Sequence, residues 1–271
     1  MEKFIWKNQQ LIIQKQAQIS IDERGFLFGD GIFETCKIFN YKIYDFNAHL
    51  KRIEAGLKTL KFSAETKNLE KKSIELIAKN QVQNGLLKIS ISRGIGSVGY
   101  LPTYKSEPLI IIQTLDERPR PKNVVLGISG QKILSKNLGK TTSALPYVLA
   151  KIESAKKNLF DCVILNEKSF VAETSSANIF WVKNGRVFTP SKACGVLLGC
   201  VRKKLLKITP LKIEQKAVKI STLKKADEIF LTNSSFLVLP VDEFLGRKLK
   251  KNLGNQFLKL LENHLKKTCQ S

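Results

Sequence analysis

Alternating apolar and polar residues mark the beginning of the chain. Residues 3–21 alternate in a way that predicts a β-hairpin, and the segments 32–40 and 41–46 predict two more strands that turn at Asn40-Tyr41. Strands joined by so short a connection pair in antiparallel fashion. The first part of the chain is therefore expected to hold an antiparallel sheet.

Helical and buried-strand patterns follow this region. Leucine and isoleucine residues fall three or four positions apart over Asn47–Leu60, which predicts a helix with one apolar face, and a second helix is predicted over Asn68–Gln83. The segments 86–92 and 107–115 are strand candidates. The second is nearly continuous in apolar residues, which is typical of a central strand.

A polar segment then interrupts the pattern. Asp116–Lys122 combines prolines with charged residues and lacks large apolar side chains, as interdomain linkers do. We therefore predict an N-terminal domain over 1–115, a linker over 116–122 and a C-terminal domain over 123–271. The patterns beyond the linker predict strands at 124–129, 162–167, 177–184 and 228–241, and helices near 143–158, 199–206 and 253–266. Both halves are mixed, so the expected fold class is α/β (α+β).

The composition indicates a compact soluble enzyme. The chain has 271 residues, of which 43% are apolar, enough for one large core or two modest ones. No stretch reaches the roughly 18 to 20 apolar residues of a membrane span, and the first residues lack the apolar core of a signal peptide. We expect a cytoplasmic protein without a membrane partner. The five cysteines show no CxxC spacing, which favours reduced thiols and no metal site.

The net charge of +23 is the most unusual feature of the composition. Such a field attracts polyanions, so a basic nucleic-acid-binding protein is a distant alternative. The lysines are spread along predicted helices, however, where lysine suits solvated faces. We favour a lysine-rich surface and no nucleic-acid partner, with steering of an acidic substrate as a further option.

Two observations exclude common chemistries. The chain has only two histidines, His49 and His264, so a histidine base for a serine or cysteine nucleophile and a histidine-rich catalytic zinc site are both disfavoured. Residues 94–99 match GxGxxG, but they lead into the loop residues 100–103 and not into a helix. A dinucleotide-binding turn needs that helix, so we interpret the segment as a glycine loop at the rim of a substrate pocket.

Three segments suggest cofactor chemistry instead. Lys140 follows a glycine and precedes three hydroxyl residues at a predicted strand-to-helix transition, although spacing alone does not distinguish it from surface lysines. The segment VAETSSANIF, 171–180, could cap a turn or could bind a heteroaromatic nitrogen and a phosphate. The segment GVLLGCVR, 195–202, leads a glycine turn into a helix whose N-terminus, with Arg202, is a candidate anion site.

These segments together resemble the class IV, or fold type IV, pyridoxal-phosphate family of branched-chain aminotransferases, D-amino-acid aminotransferases and 4-amino-4-deoxychorismate lyases. The resemblance covers nearly the whole chain and includes ERGFLFGDGIFET (23–35), HLKR (49–52), LLKISISRGIGSVGY (86–100), YVLAKIESAKKNLFDCVILNE (147–167), VAETSSANIFWVKNGRVFTP (171–190), GVLLGCVR (195–202) and ADEIFLTNSSFLVLPV (226–241). It implies a two-domain enzyme with a small N-terminal α/β domain and a larger C-terminal pseudo-barrel domain, with pyridoxal 5'-phosphate as cofactor.

The resemblance also implies roles for individual residues. Lys140 matches the lysine that bonds to the cofactor, and Arg52 matches an arginine that binds the phosphate with bidentate geometry. Glu173 matches the carboxylate that faces the pyridine nitrogen. The implied further cofactor-binding residues are Ser175, Ser176, Asn178, Cys200, Val201, Ser234 and Ser235. The family commonly has threonine at Val201, so the phosphate would rely more on backbone donors.

Substrate positions favour a lyase. The tyrosine, arginine and histidine that hold the substrate carboxylate in D-amino-acid aminotransferases correspond here to Phe33, Val98 and Tyr100. Branched-chain enzymes carry a tyrosine five residues after the lysine, where this chain has Leu145. The match of Phe33 and of the loop from Arg93 to Tyr100 implies 4-amino-4-deoxychorismate lyase, which releases pyruvate and forms p-aminobenzoate for folate synthesis.

Some features leave the substrate open. Val98 replaces a loop arginine of the lyases, and Ser143 replaces an asparagine that they usually carry. A class IV aminotransferase for branched-chain or D-amino acids that uses 2-oxoglutarate is the alternative. In either case the resemblance implies a small anionic amino substrate, contacts from Phe33, Arg93 and Tyr100, and a homodimer in which the 93–100 loop completes the neighbouring subunit's pocket.

Overall fold

The computed structural model describes residues 2–96, 99–102 and 107–270. The helices are α1 (Arg24–Phe28), α2 (Phe46–Leu60), α3 (Leu69–Lys79), α4 (Leu145–Lys156), α5 (Cys200–Ile208), α6 (Ile220–Lys224) and α7 (Asn252–Gln270). The strands are β1 (Phe4–Lys7), β2 (Gln10–Ile13), β3 (Gly31–Phe39), β4 (Lys42–Ile43), β5 (Gly85–Ser92), β6 (Leu109–Asp116), β7 (Val125–Ile133), β8 (Asp161–Asn166), β9 (Val171–Thr174), β10 (Asn178–Lys183), β11 (Arg186–Pro190), β12 (Ile213–Lys216), β13 (Glu228–Asn233), β14 (Leu237–Pro240), β15 (Glu243–Phe244) and β16 (Arg247–Lys248).

The chain forms two compact units that are not contiguous in sequence. The first comprises Met1–Arg118, Leu138–Ala144 and Lys267–Ser271, and the second comprises Pro119–Asn137 and Leu145–Lys266. The segment that contains Lys140 thus belongs to the first unit, although it follows the predicted linker. The domain ranges proposed from the sequence stay a prediction.

The first unit is built on a six-stranded antiparallel sheet in the order β2-β1-β6-β5-β3-β4. The predicted hairpin and the predicted turn at Asn40-Tyr41 are confirmed. Both turn residues adopt positive φ, at 49° and 61°, and two such residues give the turn twist that matches paired strands. Helix α2 buries Ile53 and Leu57 in the core beside β3, so its predicted apolar face is confirmed.

The second unit is built on a ten-stranded mixed sheet, with the path β12-β11-β10-β9-β8-β7-β15-β16 and with β13 and β14 joined through β10. Pairs β7–β8, β11–β12 and β7–β15 are parallel, and the remaining pairs are antiparallel. Trp181, Ile179 and Leu231 are buried in its core. The mixed α/β class predicted from the sequence is confirmed.

One strand prediction was wrong in its extent. The segment 228–241 forms two antiparallel strands, β13 and β14, with a turn at 234–236. The side chain of Asn233 accepts the backbone N–H groups of Ser235 and Phe236, at 2.9 and 3.0 Å, and this arrangement closes the turn. Among the described residues, no helix combines the length and apolarity that crossing a bilayer would need.

Candidate active site

Lys140 is attached through its backbone to strand β3 of the first unit. Its carbonyl oxygen accepts the N–H of Phe33 at 2.9 Å, and the next residue, Thr141, forms an isolated bridge with Ile32. The Lys140 Nζ atom lies 4.3 Å from the centroid of the Phe33 ring. The structure therefore brings together the predicted catalytic lysine and one predicted substrate residue.

Arg52 lies on α2 and is held by a carboxylate that the sequence analysis did not select. Its Nε and one terminal nitrogen donate to the two oxygens of Glu34 at 2.5 and 2.6 Å, and His49 Nδ1 lies 2.7 Å from Glu34 Oε2. Burial favours the neutral acid, but the hydrogen bonds and charges of Arg52 and His49 outweigh it and lower the pKa of Glu34 to about 2. Arg52 is thus oriented by a partner that is ionised at neutral pH.

Arg93 and Tyr100 flank the glycine loop of residues 94–99. The Arg93 guanidinium donates to both carboxylate oxygens of Asp30, at 2.7 and 3.1 Å, and to the carbonyl oxygen of Leu60 at 2.7 Å. Arg24 also donates to Asp30 and reaches the Tyr100 carbonyl oxygen at 2.9 Å. Arg93 therefore braces the loop, and its contact with substrate stays a prediction.

The described part of this loop contains no helix, in agreement with the rejection of a dinucleotide-binding turn. Gly94 adopts a φ of +91°, which suits glycine, and a Cβ there would meet the Glu107 carbonyl oxygen at 1.8 Å. The Tyr100 side chain is 88% exposed. Val98, one of the positions used to judge the substrate, lies outside the described residues.

Glu173 lies on β9 of the second unit and is almost fully buried, with 4% of its surface exposed. Its Oε2 accepts Asn178 Nδ2 at 3.0 Å and the backbone N–H of Leu197 at 3.1 Å, while its Oε1 accepts the Tyr147 hydroxyl at 2.9 Å. Buried carboxylates need such donors. The predicted pair of Glu173 and Asn178 is therefore brought together by the structure.

The hydroxyls of Ser175 and Ser176 have a protein partner. They donate to the two carboxylate oxygens of the buried Asp161, at 2.6 and 2.7 Å. These bonds hold the turn between β9 and β10 in place. A direct role of either hydroxyl toward a cofactor stays a prediction.

Helix α5 begins next to Asn178. A Cβ atom on its N-cap residue, Gly199, would lie 2.2 Å from Asn178 Oδ1, so any side chain there would force Asn178 to shift. The N–H groups of the first residues, Cys200 and Val201, have no acceptor within the helix. Arg202, by contrast, is buried and donates to Pro190 O and Gln215 Oε1, each at 2.9 Å. A role of its side chain at an anion site stays a prediction.

The turn with Ser234 and Ser235 is tied to the turn with Ser176. Asn233 Nδ2 donates to the Ser176 carbonyl oxygen at 3.1 Å. Thr232, the residue before Asn233 on β13, pairs with Asn178 of β10. Their side chains therefore share one face of the sheet. The Thr232 hydroxyl is buried and has no hydrogen-bond partner among the described residues.

The model of the family called amino-transferase class IV matches residues 31–244, which is most of the chain. The chain belongs to the class IV aminotransferase family. The resemblance inferred from the sequence motifs is thereby confirmed, and this family member is a pyridoxal-phosphate-dependent enzyme with the fold of type IV.

Relatives of this class IV enzyme carry out two kinds of reaction. It is 30% identical to the aminodeoxychorismate lyase of Vibrio harveyi, over 83% of this chain and 87% of that one. It is 29% identical to the D-alanine aminotransferase of Staphylococcus aureus, over 97% of this chain and 99% of that one. A solved 4-amino-4-deoxychorismate lyase of Pseudomonas aeruginosa superposes with a TM-score of 0.83, at 26% identity, over 96% of this chain and 99% of that one.

Each unit, taken by itself, carries residues whose chemistry fits part of pyridoxal 5'-phosphate. The first unit offers an amine at Lys140 and a guanidinium at Arg52, and the second offers the buried carboxylate of Glu173 and the N-terminus of α5. An amine suits the aldehyde, a carboxylate suits a protonated pyridine nitrogen, and cationic or N–H donors suit the phosphate. The buried hydroxyl of Thr232, on the same sheet face as Asn178, is a further polar atom, and no residue in the described part of the chain bonds to it.

Three residues of the site were missed by the sequence analysis: Glu34, Tyr147 and Asp161. Glu34 carried a signal, because a carboxylate inside the apolar strand 32–39 requires a buried cation. No signal in the sequence indicated the roles of Asp161 and Tyr147. Their partners lie 14 and 26 residues away, and only the fold brings them together.

Proposed function

We propose that this class IV enzyme is a 4-amino-4-deoxychorismate lyase, which releases pyruvate and forms p-aminobenzoate for folate synthesis. The observation that carries the proposal is the Phe33 ring beside the Lys140 amine, at 4.3 Å. A phenyl ring provides an apolar face for a six-membered carbocycle and no hydroxyl for an amino-acid carboxylate. The lyase relatives from V. harveyi and P. aeruginosa support it.

The cofactor, when bound, supplies a protonated pyridine ring that accepts electrons from the substrate. Lys140 would bond to it through Nζ and, once the substrate amine has displaced it, would remove a proton from the substrate ring with the same atom. The ring becomes aromatic when it has lost that proton and its enolpyruvate group, and the departing enolpyruvate takes up a proton to become pyruvate. The protonated ring of the bound cofactor would disfavour a positive charge on the released Nζ, so that Nζ would be able to act as a base.

The other residues would bind and orient. Arg52, fixed by Glu34, would bind the phosphate together with the first N–H groups of α5 at Cys200 and Val201 and with the 234–235 turn. Glu173 would hold the proton on the pyridine nitrogen. Ser175 and Ser176 would act through the turn that Asp161 holds. Arg93 would position the loop that carries Tyr100.

We further propose that the enzyme is a cytoplasmic homodimer. Helix α4 exposes four apolar residues at helical spacing, namely Leu145, Val148, Leu149 and Ile152, which are 65%, 50%, 41% and 46% exposed. A continuous apolar stripe of this kind is typical of an interface. A second copy of the chain would cover it, since a homodimer presents the same surface on both subunits.

The test is incubation of the purified enzyme with 4-amino-4-deoxychorismate. We expect p-aminobenzoate and pyruvate in equal amounts, measured by chromatography and a coupled assay. A second candidate is an aminotransferase, because the S. aureus D-alanine aminotransferase matches 97% of this chain. Turnover of an amino acid with 2-oxoglutarate, and no p-aminobenzoate from aminodeoxychorismate, would replace the lyase proposal with that one.

A further inference from the structure

Tyr147 makes a direct hydrogen bond to Glu173 that no part of the proposed function uses. Its hydroxyl lies 2.9 Å from Glu173 Oε1, and both residues belong to the second unit. Tyr147 lies in the first turn of α4, two positions after Leu145. Leu145 is the position at which branched-chain enzymes are expected to carry their tyrosine. The chain thus places a phenol on the carboxylate and not at the position implied for branched-chain enzymes.

The direction of this hydrogen bond is defined. Burial, followed by the charge of Glu173, raises the pKa of Tyr147 well above its usual value, so the phenol keeps its proton at all ordinary pH values. A protonated phenol beside a carboxylate donates. Tyr147 is therefore a donor to Oε1, whereas Asn178 and Leu197 donate to Oε2.

We infer that Tyr147 is a positioning residue that keeps Glu173 ionised and thereby keeps the proton on the pyridine nitrogen of the cofactor. The inference rests on the proposed placement of Glu173 at that nitrogen. A carboxylate and a pyridine nitrogen compete for one proton, and each donor to the carboxylate makes the carboxylate less basic. Removal of the phenol shifts the proton toward Glu173 and leaves the ring a weaker electron acceptor.

Tyr147 also fixes the geometry of the carboxylate. A donor on Oε1 and donors on Oε2 hold the Glu173 plane from both sides, on a strand that is buried along its length. Arg202 adds a positive charge close enough to interact with Glu173. Burial lowers the pKa of Arg202, and the negative charge of Glu173 partly offsets this fall. Arg202 acts through charge at a distance, and Tyr147 acts through a hydrogen bond at one oxygen.

The test uses pyridoxal 5'-phosphate labelled with ¹⁵N at its ring nitrogen, bound to the full-length enzyme without substrate. In the wild type we expect the ¹⁵N chemical shift of a protonated pyridine. In Tyr147→Phe the signal should move toward that of an unprotonated pyridine, and the cofactor affinity should fall about tenfold, the usual effect of one hydrogen bond to a charged group. Since no substrate is needed, the result does not depend on the choice between lyase and aminotransferase.

Two variants separate the possible outcomes. Tyr44→Phe removes the hydroxyl of another buried tyrosine, in the first unit, and should leave the ¹⁵N shift unchanged. Glu173→Gln should move the signal at least as far as Tyr147→Phe. If Glu173→Gln moves the signal and Tyr147→Phe does not, the inference about Tyr147 fails and the proposed role of Glu173 stands. If Glu173→Gln leaves the signal in place, both fail.

Discussion

Glu34 is the residue on which the geometry of Arg52 depends. Glu34 is 1% exposed, and its carboxylate accepts from Arg52 and His49. Replacement by glutamine keeps the shape of the side chain but removes the charge, so a buried guanidinium loses its counter-ion. We expect Glu34→Gln to lower the free energy of unfolding by about 2 to 3 kcal/mol, measured by urea denaturation.

A matched exposed pair provides the control. Lys3 and Asp116 form an ion pair whose side chains are 41% and 81% exposed, and exposed pairs contribute at most about 1 kcal/mol. Asp116→Asn should therefore change the free energy of unfolding by less than about 1 kcal/mol. Equal losses in the two variants would show that the burial of Glu34 does not matter.

The stabilising effect of Glu34 should also depend on pH. Its pKa is lowered from 4.5 to about 2 in the folded protein, so the ionised form contributes stability at pH values above 4.5, and this contribution disappears as the pH falls toward 2. The difference in free energy of unfolding between wild type and Glu34→Gln should be constant from pH 7 to 5 and shrink below that. A difference that grows with acid would mean that Glu34 is protonated in the fold.

At the level of single residues, the sequence identified side chains but not their partners. Lys140 and Glu173 could be selected because their neighbouring motifs resemble a family. The resemblance implied Ser175 and Ser176 as cofactor-binding residues, but it did not predict that their hydroxyls donate to Asp161. The sequence shows that a serine has a hydroxyl that can donate a hydrogen bond. Which residue accepts that bond depends on the strand that the fold places beside the serine.

At the scale of elements, the start of α5 depends on a close approach. Because a Cβ on Gly199 would meet Asn178 Oδ1 at 2.2 Å, Gly199→Ala should displace Asn178 from Glu173 and tilt the helix N-terminus. We expect the cofactor affinity to fall at least about tenfold, measured by titration of the absorbance of bound cofactor.

Gly130 offers the control substitution in the same unit. A Cβ there would lie 3.9 Å from Glu153 Oε2, which is an ordinary contact. Gly130→Ala should therefore bind the cofactor like the wild type. If both alanine variants retain wild-type affinity, the N-terminus of α5 is not part of the cofactor site.

Regular elements followed from the sequence where periodicity was strong. The apolar spacing of α2 and the alternation of β3 are local properties, and both elements were confirmed. The break between β13 and β14 was missed because two apolar runs, one on each side of the polar residues 232–235, were interpreted as a single strand. The decisive group was the Asn233 side chain, which accepts two backbone N–H groups and closes the turn.

At the scale of the whole molecule, the exposed stripe of α4 predicts self-association. Ile152→Lys introduces a charge into this stripe and should convert the dimer to a monomer, measured by sedimentation velocity. Ile74→Lys on α3 is the matched control, since Ile152 and Ile74 are 46% and 51% exposed. A wild type that sediments as a monomer, or a dimer that Ile152→Lys does not weaken, would contradict the proposed interface.

The central claim is that this enzyme acts through Lys140 and its cofactor. The most direct measurement is borohydride reduction of the purified enzyme, followed by mass spectrometry of its peptides. We predict that the peptide containing Lys140 carries the reduced pyridoxal group and that the peptide containing the nearby exposed Lys136 does not. A modified enzyme whose Lys140 peptide is unlabelled would contradict the account.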